Sequence, residues 1–105
     1  MLSIPECDWK VLKELHPVAM ERFCQRVLSE AQQLIAEEGT SSHDRYLALD
    51  TFIKDRNREL VAAFDDYRRS TAVMQLRLFH NHKLLTKEEL GRLSDETREF
   101  VERVW

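Results

Sequence analysis

The scarcity of glycine and proline constrains the fold of this chain more than any other feature of its sequence. The 105 residues include only two of each. Because tight turns and sandwich loops depend on these two residue types, so small a number favours long helices over a β-fold. We therefore expect an all-α fold, a small helical bundle of four to five helices that occupies residues 1–105 as a single domain.

The composition is typical of a globular protein. Apolar residues make up 43% of the chain and charged residues 33%, which is too apolar for a disordered chain. The formal net charge of −3 gives no general attraction to nucleic acid or to an anionic membrane. No apolar run is long enough to span a bilayer, and the first ten residues lack the basic start and apolar stretch of a signal peptide. We expect a cytoplasmic protein in which Cys7 and Cys24 are free thiols.

Local signals predict two helices in the first 38 residues. Ser3 and Glu6 have the spacing of a capping box, and Pro17 predicts the end of the first helix because the residue before a proline avoids α geometry. The second helix is predicted over 17–38, where apolar residues recur at helical spacing. Leu28 lies in the middle of this stripe, so we expect Leu28→Asp to unfold the domain.

The segment 43–83 contains no helix breaker. A single helix of this length would extend about 60 Å, whereas a compact domain of this size is about 30 Å across. The segment must therefore bend, break or project, and the polar stretches 54–58 and 70–71 are its weak points. Its first part and 17–38 form the predicted central antiparallel helix pair, joined by the turn at Gly39.

Two short helices are predicted at the end of the chain. Thr86 and Glu89 form a capping box for 87–93, and Ser94 is the predicted cap of 95–105. These helices offer only modest cover for the segments that precede them.

The residues around 64–69 combine two aspartates with two arginines. On a helix, Asp65 lies near Arg68 and Arg69, at spacings of three and four residues, and such pairs contribute a few tenths of a kcal/mol each. Similar spacings recur along the chain, so we interpret this cluster as a solvated helix surface. A ligand-binding or enzymatic bundle is the alternative, and its candidate residues are Tyr46, Asp65, Arg68, Arg69 and His80.

A second alternative is a small regulatory protein that binds nucleic acid. Its candidate basic patch consists of Arg68, Arg69, Arg77, His80, His82 and Lys83. Two aspartates partly neutralise this patch, and no helix-turn-helix spacing surrounds it. His80 and His82 point about 200° apart on a helix, so they cannot share one metal ion. We predict neither a metal nor a cofactor, and no glycine-rich loop or nucleophile motif indicates catalysis.

The apolar run 72–79 favours a partner chain. Its apolar positions cover a wide arc, and a surface helix needs only one stripe. Val73, Leu76 and Phe79, with the terminal Trp105, are the candidate interface residues. The leading hypothesis is therefore a non-enzymatic helical interaction protein that forms a homodimer and does not enter a membrane.

Overall fold

The computed structural model describes residues 4–103, and these residues form five α-helices with no strand among them. The helices are α1 (Glu6–Ala36), α2 (Ser42–Leu60), α3 (Ala72–Asn81), α4 (Lys87–Leu90) and α5 (Asp95–Glu102). A π-helical turn, Val61–Asp65, continues α2, and a 3₁₀ turn, Arg69–Thr71, precedes α3. The predicted all-α bundle is confirmed.

Helix α1 continues through Pro17, so the prediction that this proline ends a helix is wrong. A proline inside a helix removes one backbone hydrogen bond and favours a break. Here Leu12, Leu15 and Phe23 are buried at helical spacing on both sides of the proline, and burial of this continuous face outweighs the local cost. His16 adds a stacked contact with Tyr67, with ring centroids 4.1 Å apart. The predicted cap residue Ser3 lies outside the described residues.

The segment 43–83 breaks after the π-helical turn and not at 54–58. Ion pairs between Arg56 and Glu59 and between Arg58 and Asp55 connect successive turns of α2 through the polar stretch. At the break, the Thr71 hydroxyl donates to the backbone carbonyl of Asp66 at 2.5 Å. A local side-chain bond of this kind competes with the helical hydrogen-bond pattern. The second predicted weak point, 70–71, therefore lies in the interrupted region.

The hydrophobic core lies at one end of the molecule, which we call the head. The head comprises residues 4–23 and 61–103, and its elements are the first half of α1, the π-helical turn and α3 to α5. Its most deeply buried apolar side chains are Leu12, Leu15, Ala19, Ala63, Ala72, Leu76, Phe79, Leu84 and Val101. By contrast, α2 buries none of its residues. The hydrophobic core therefore lies next to the α1–α2 pair and not between these two helices.

A buried carboxylate connects the two ends of the chain inside the head. Asp8 has no exposed surface and accepts hydrogen bonds from the backbone amide of Ser94 at 2.7 Å, the Ser94 hydroxyl at 2.6 Å and the Thr97 hydroxyl at 2.5 Å. Ser94 is at the N-cap position of α5, as predicted, but its hydroxyl donates to Asp8 instead of capping its own helix. Burial disfavours the charged carboxylate, yet these hydrogen bonds outweigh it and lower the pKa of Asp8.

Two arginines of α1 bind α4 and the loop that precedes it. Arg22 forms a two-pronged ion pair with Glu89 at 2.6 and 3.0 Å and also donates to the backbone carbonyl of Leu84. Arg26 donates to the carbonyls of His82 and Lys83. The hydrogen bond from Arg22 lowers the pKa of Glu89, although burial opposes this shift. Glu89 also accepts from the amide of Thr86, so the predicted capping box is confirmed.

The molecule is elongated because α2 and the second half of α1 project from the head. Its principal extents are 52 × 26 × 24 Å. The radius of gyration is 16.6 Å, against about 13 Å for a compact domain of about 100 residues. The sequence-based prediction that 43–83 bends, breaks or projects is confirmed, because the segment breaks after Asp65 and α2 projects from the head.

Candidate interaction surface

The projecting part is a hairpin of two helices, formed by residues 24–60. Its turn contains Gly39, whose φ of +86° lies in the left-handed region that favours glycine. The Ser41 hydroxyl accepts from the amide of Asp44 and caps α2. Arg45 then donates to the carbonyl of Ile35 at 2.7 Å, which fixes the start of α2 against the end of α1.

The contacts along the hairpin show that the two helices run in opposite directions. Near the head, Cys24 and Leu28 of α1 line a groove with Asn57 of α2. Near the turn, Ile35 lines a second groove with Tyr46. Both grooves lie on the same side of the hairpin, because residues spaced by four and seven positions share one helix face.

This side of the hairpin carries an exposed apolar surface. We define the hairpin face by six residues, Cys24, Leu28, Ile35, Tyr46, Leu49 and Ile53. Leu28 is 63% exposed, Ile35 54% and Tyr46 68%, whereas Cys24, Leu49 and Ile53 are half-buried. Leu28 is therefore a surface residue, and the burial on which the expectation for Leu28→Asp depends is not observed. Two helices packed only on each other can bury a single seam, and no third element of the described chain covers this side.

The opposite side of the hairpin differs in chemistry. Its groove is lined by Glu30, Gln33 and Glu37, together with Leu34 and Phe52. The flank of the hairpin face on α1 carries the uncharged residues Gln25, Ser29 and Gln32, all exposed. The flank on α2 carries Asp50 and Lys54, which pair with each other at 3.0 Å. Apart from Glu21, which is exposed on α1 seven positions before Leu28, the residues that border the apolar surface here are neutral or internally paired.

The structure corrects the predicted interface. Val73, Leu76 and Phe79 are buried in the head, with exposures of 6%, 0% and 0%. The wide apolar arc of 72–79 is covered by the chain itself, because α1 and α5 pack on α3. These three residues therefore cannot contact a partner chain, and Trp105 lies outside the described residues.

The six candidate basic residues do not form a continuous basic surface. Arg77 is buried, donates to the carbonyl of Arg103 and lies over the ring of Phe100. Arg68 pairs with Asp66 at 2.7 Å, and this contact raises the pKa of Arg68 and lowers that of Asp66. The other four residues differ in their exposure and in their partners. Arg69 pairs with Glu6, His80 and His82 are half-buried, and Lys83 is exposed.

The charged cluster of 65–69 also differs from its prediction. It lies in the interrupted segment, so the expected helical pairs of Asp65 with Arg68 and Arg69 do not form, although the ion pairs present are exposed as expected. The candidate ligand set does not converge on one site. Tyr46 is separated from Asp65 by nineteen residues of continuous helical structure, about 28 Å.

Three further properties concern the cysteines, metal binding and membrane crossing. Both thiols are free, as predicted, with Cys7 exposed and Cys24 half-buried. Among residues 4–103 no cluster of histidine, cysteine and acidic side chains has the arrangement of a metal site. Over the same range, no helix combines the length and apolar character needed to cross a membrane.

Comparison of the chain with protein-family models, with curated proteins and with solved structures finds no match in any of the three.

The hairpin face was not singled out by the sequence, because its apolar stripe has the same spacing as a buried one. The available signal was the excess length of 43–83, which indicated that part of this segment extends beyond the core.

Proposed function

We propose that this protein is a non-enzymatic helical interaction protein that binds another polypeptide through the hairpin face. The observation that carries the proposal is the contrast between the two ends of the molecule. The buried apolar core lies in the head, although some apolar residues there, such as Val61 and Met74, are exposed, whereas α2 buries no residue and Leu28 and Tyr46 remain more than 60% exposed. Contiguous apolar surface of this kind marks a binding site more often than it occurs by chance on a soluble monomer.

Covering this surface contributes a free energy comparable in size to the cost of association. The two antiparallel helices lie side by side. Over a length of about 28 Å and a combined width of about 20 Å, they present about 560 Å² of surface. If about 300 Å² of this area is apolar, its burial contributes about 7 kcal/mol at 25 cal/mol per Å². A partner contributes a similar amount from its own surface, and the sum offsets an association cost on the order of 4–15 kcal/mol.

Covalent capture tests the proposal. A photoreactive benzoylphenylalanine replaces Tyr46 in the full chain, which is expressed in the cells that normally make it and irradiated. The matched control carries the same group in place of Met74, an apolar residue of α3 that is 45% exposed and lies off the hairpin face. We expect an adduct with a polypeptide from position 46 and none from position 74. No adduct at position 46, or equal adducts at both positions, would contradict the proposal.

A further inference from the structure

We infer that the occupant of the hairpin face is a second copy of this chain, so that two hairpins form a four-helix bundle around a two-fold axis. This inference rests on the proposed function and adds the identity of the partner. It is supported by the shape of the face, by the charges that border it and by the position of the head.

The shape of the hairpin face matches another hairpin better than a single helix. The face presents two helices side by side, about 20 Å wide, and one partner helix about 10 Å wide covers only half of that width. A second hairpin covers all of it and buries about 1,100 Å² in total, which exceeds the roughly 1,000 Å² that a specific interface needs. Residues such as Ile35 and Tyr46, on different helices, are then buried together.

The charges around the face are compatible with an identical partner. In an isologous contact residue i of one copy meets residue j of the other and j meets i, so a border with charges of one sign would repel the same border of the second copy. Gln25, Ser29 and Gln32 carry no charge, and Asp50 is neutralised by Lys54 within its own helix. Glu21 is exposed beside the head end of the face, away from its middle. The charged groups Glu30 and Glu37 lie on the opposite side of the hairpin. A partner chosen by charge would instead require a charged border on this side.

The head determines the direction of the pairing. It occupies one end of a molecule 52 Å long. Two hairpins that point the same way bring both heads to one end, where they compete for space. Hairpins that point in opposite directions place the heads at opposite ends. The two-fold axis then passes near the middle of the face, close to Leu28, and the turn residues of one copy lie near Cys24 of the other.

Sedimentation equilibrium on the full chain at 1–100 µM tests this inference, with Leu28→Glu and Tyr46→Glu as interface variants and Met74→Glu as control. The wild type and Met74→Glu are expected to approach 25 kDa, twice the chain mass of 12.5 kDa. Leu28→Glu places two charges near the axis and is expected to raise the dissociation midpoint at least tenfold, as is Tyr46→Glu on the other helix. Circular dichroism verifies that each variant is folded. If Leu28→Glu does not fold, Tyr46→Glu still tests the interface.

A wild-type mass of 12.5 kDa across this range would overturn the inference, as would a mass above two chains or a dimer that neither interface variant weakens. The two proposals fail separately. A monomer whose position 46 still captures a different polypeptide contradicts the second copy but keeps the interaction function, whereas a monomer with no adduct contradicts both.

Discussion

Replacing Phe79 by alanine is expected to lower the free energy of unfolding by about 3–5 kcal/mol, the usual range for removing a buried phenylalanine. Phe79 has no exposed surface and stacks on Phe64 with ring centroids 4.8 Å apart. It also lies 6.0 Å from the ring of His16, so its side chain joins α1, the π-helical turn and α3. Loss of the ring leaves a cavity where these three elements meet.

Urea unfolding followed by circular dichroism at low micromolar concentration measures this effect. Met74→Ala is the matched control, because Met74 lies on the same helix but is 45% exposed, and we expect a loss below about 1 kcal/mol. If Phe79→Ala proved as mild as Met74→Ala, α3 would not pack on the rest of the head as described.

Replacing Asp8 by alanine is expected to cost about 3 kcal/mol. The substitution leaves the Ser94 amide and the Ser94 and Thr97 hydroxyls without their acceptor at the start of α5. Buried donors without a partner cost about 1–3 kcal/mol each, and relief from burying the carboxylate offsets part of the sum. Glu6→Ala is the control, because it removes only an exposed ion pair with Arg69 and should cost less than about 1 kcal/mol.

The same carboxylate makes stability depend on pH. Since the pKa of Asp8 is lowered in the folded state, its contribution is fully present above the ordinary value of 3.8 and is lost as the pH falls from there toward the folded pKa. Glu89, whose pKa is also lowered, adds to the same acid loss. Asp8→Asn should therefore flatten the slope of stability against pH below about pH 4 without removing it. An unchanged slope in Asp8→Asn would contradict the role given to this carboxylate.

Local features of the fold could be predicted because they depend on neighbouring residues. The caps at Ser41 and Thr86 require only a side chain and an amide three positions further on. The effect of Pro17 could not be predicted in this way, since the helix continues because of packing against residues more than forty positions away, such as Phe64 and Tyr67. The bond from Ser94 to Asp8 spans 86 positions and has no local signature.

The candidate interaction surface could not be predicted from hydrophobic periodicity. Phe79 and Leu28 are both apolar residues in helical stripes, and their sequence patterns give them the same expected environment. One is buried and the other is 63% exposed because the end of the chain packs over α3 and does not cover the hairpin face. Periodicity identifies which residues of a helix share a face, but only the tertiary arrangement determines whether another element covers that face.

Hydrogen exchange measured by mass spectrometry below and above the association midpoint tests most directly whether the hairpin face is the surface that associates. Because α2 buries no residue in the isolated chain, its amides should open readily, and covering the face should slow their exchange. We predict slower exchange at high concentration for peptides that cover 46–57 and no change for 72–81, which lies in the head. Slower exchange in α3 with α2 unchanged would contradict the assignment of the hairpin face as the interaction surface.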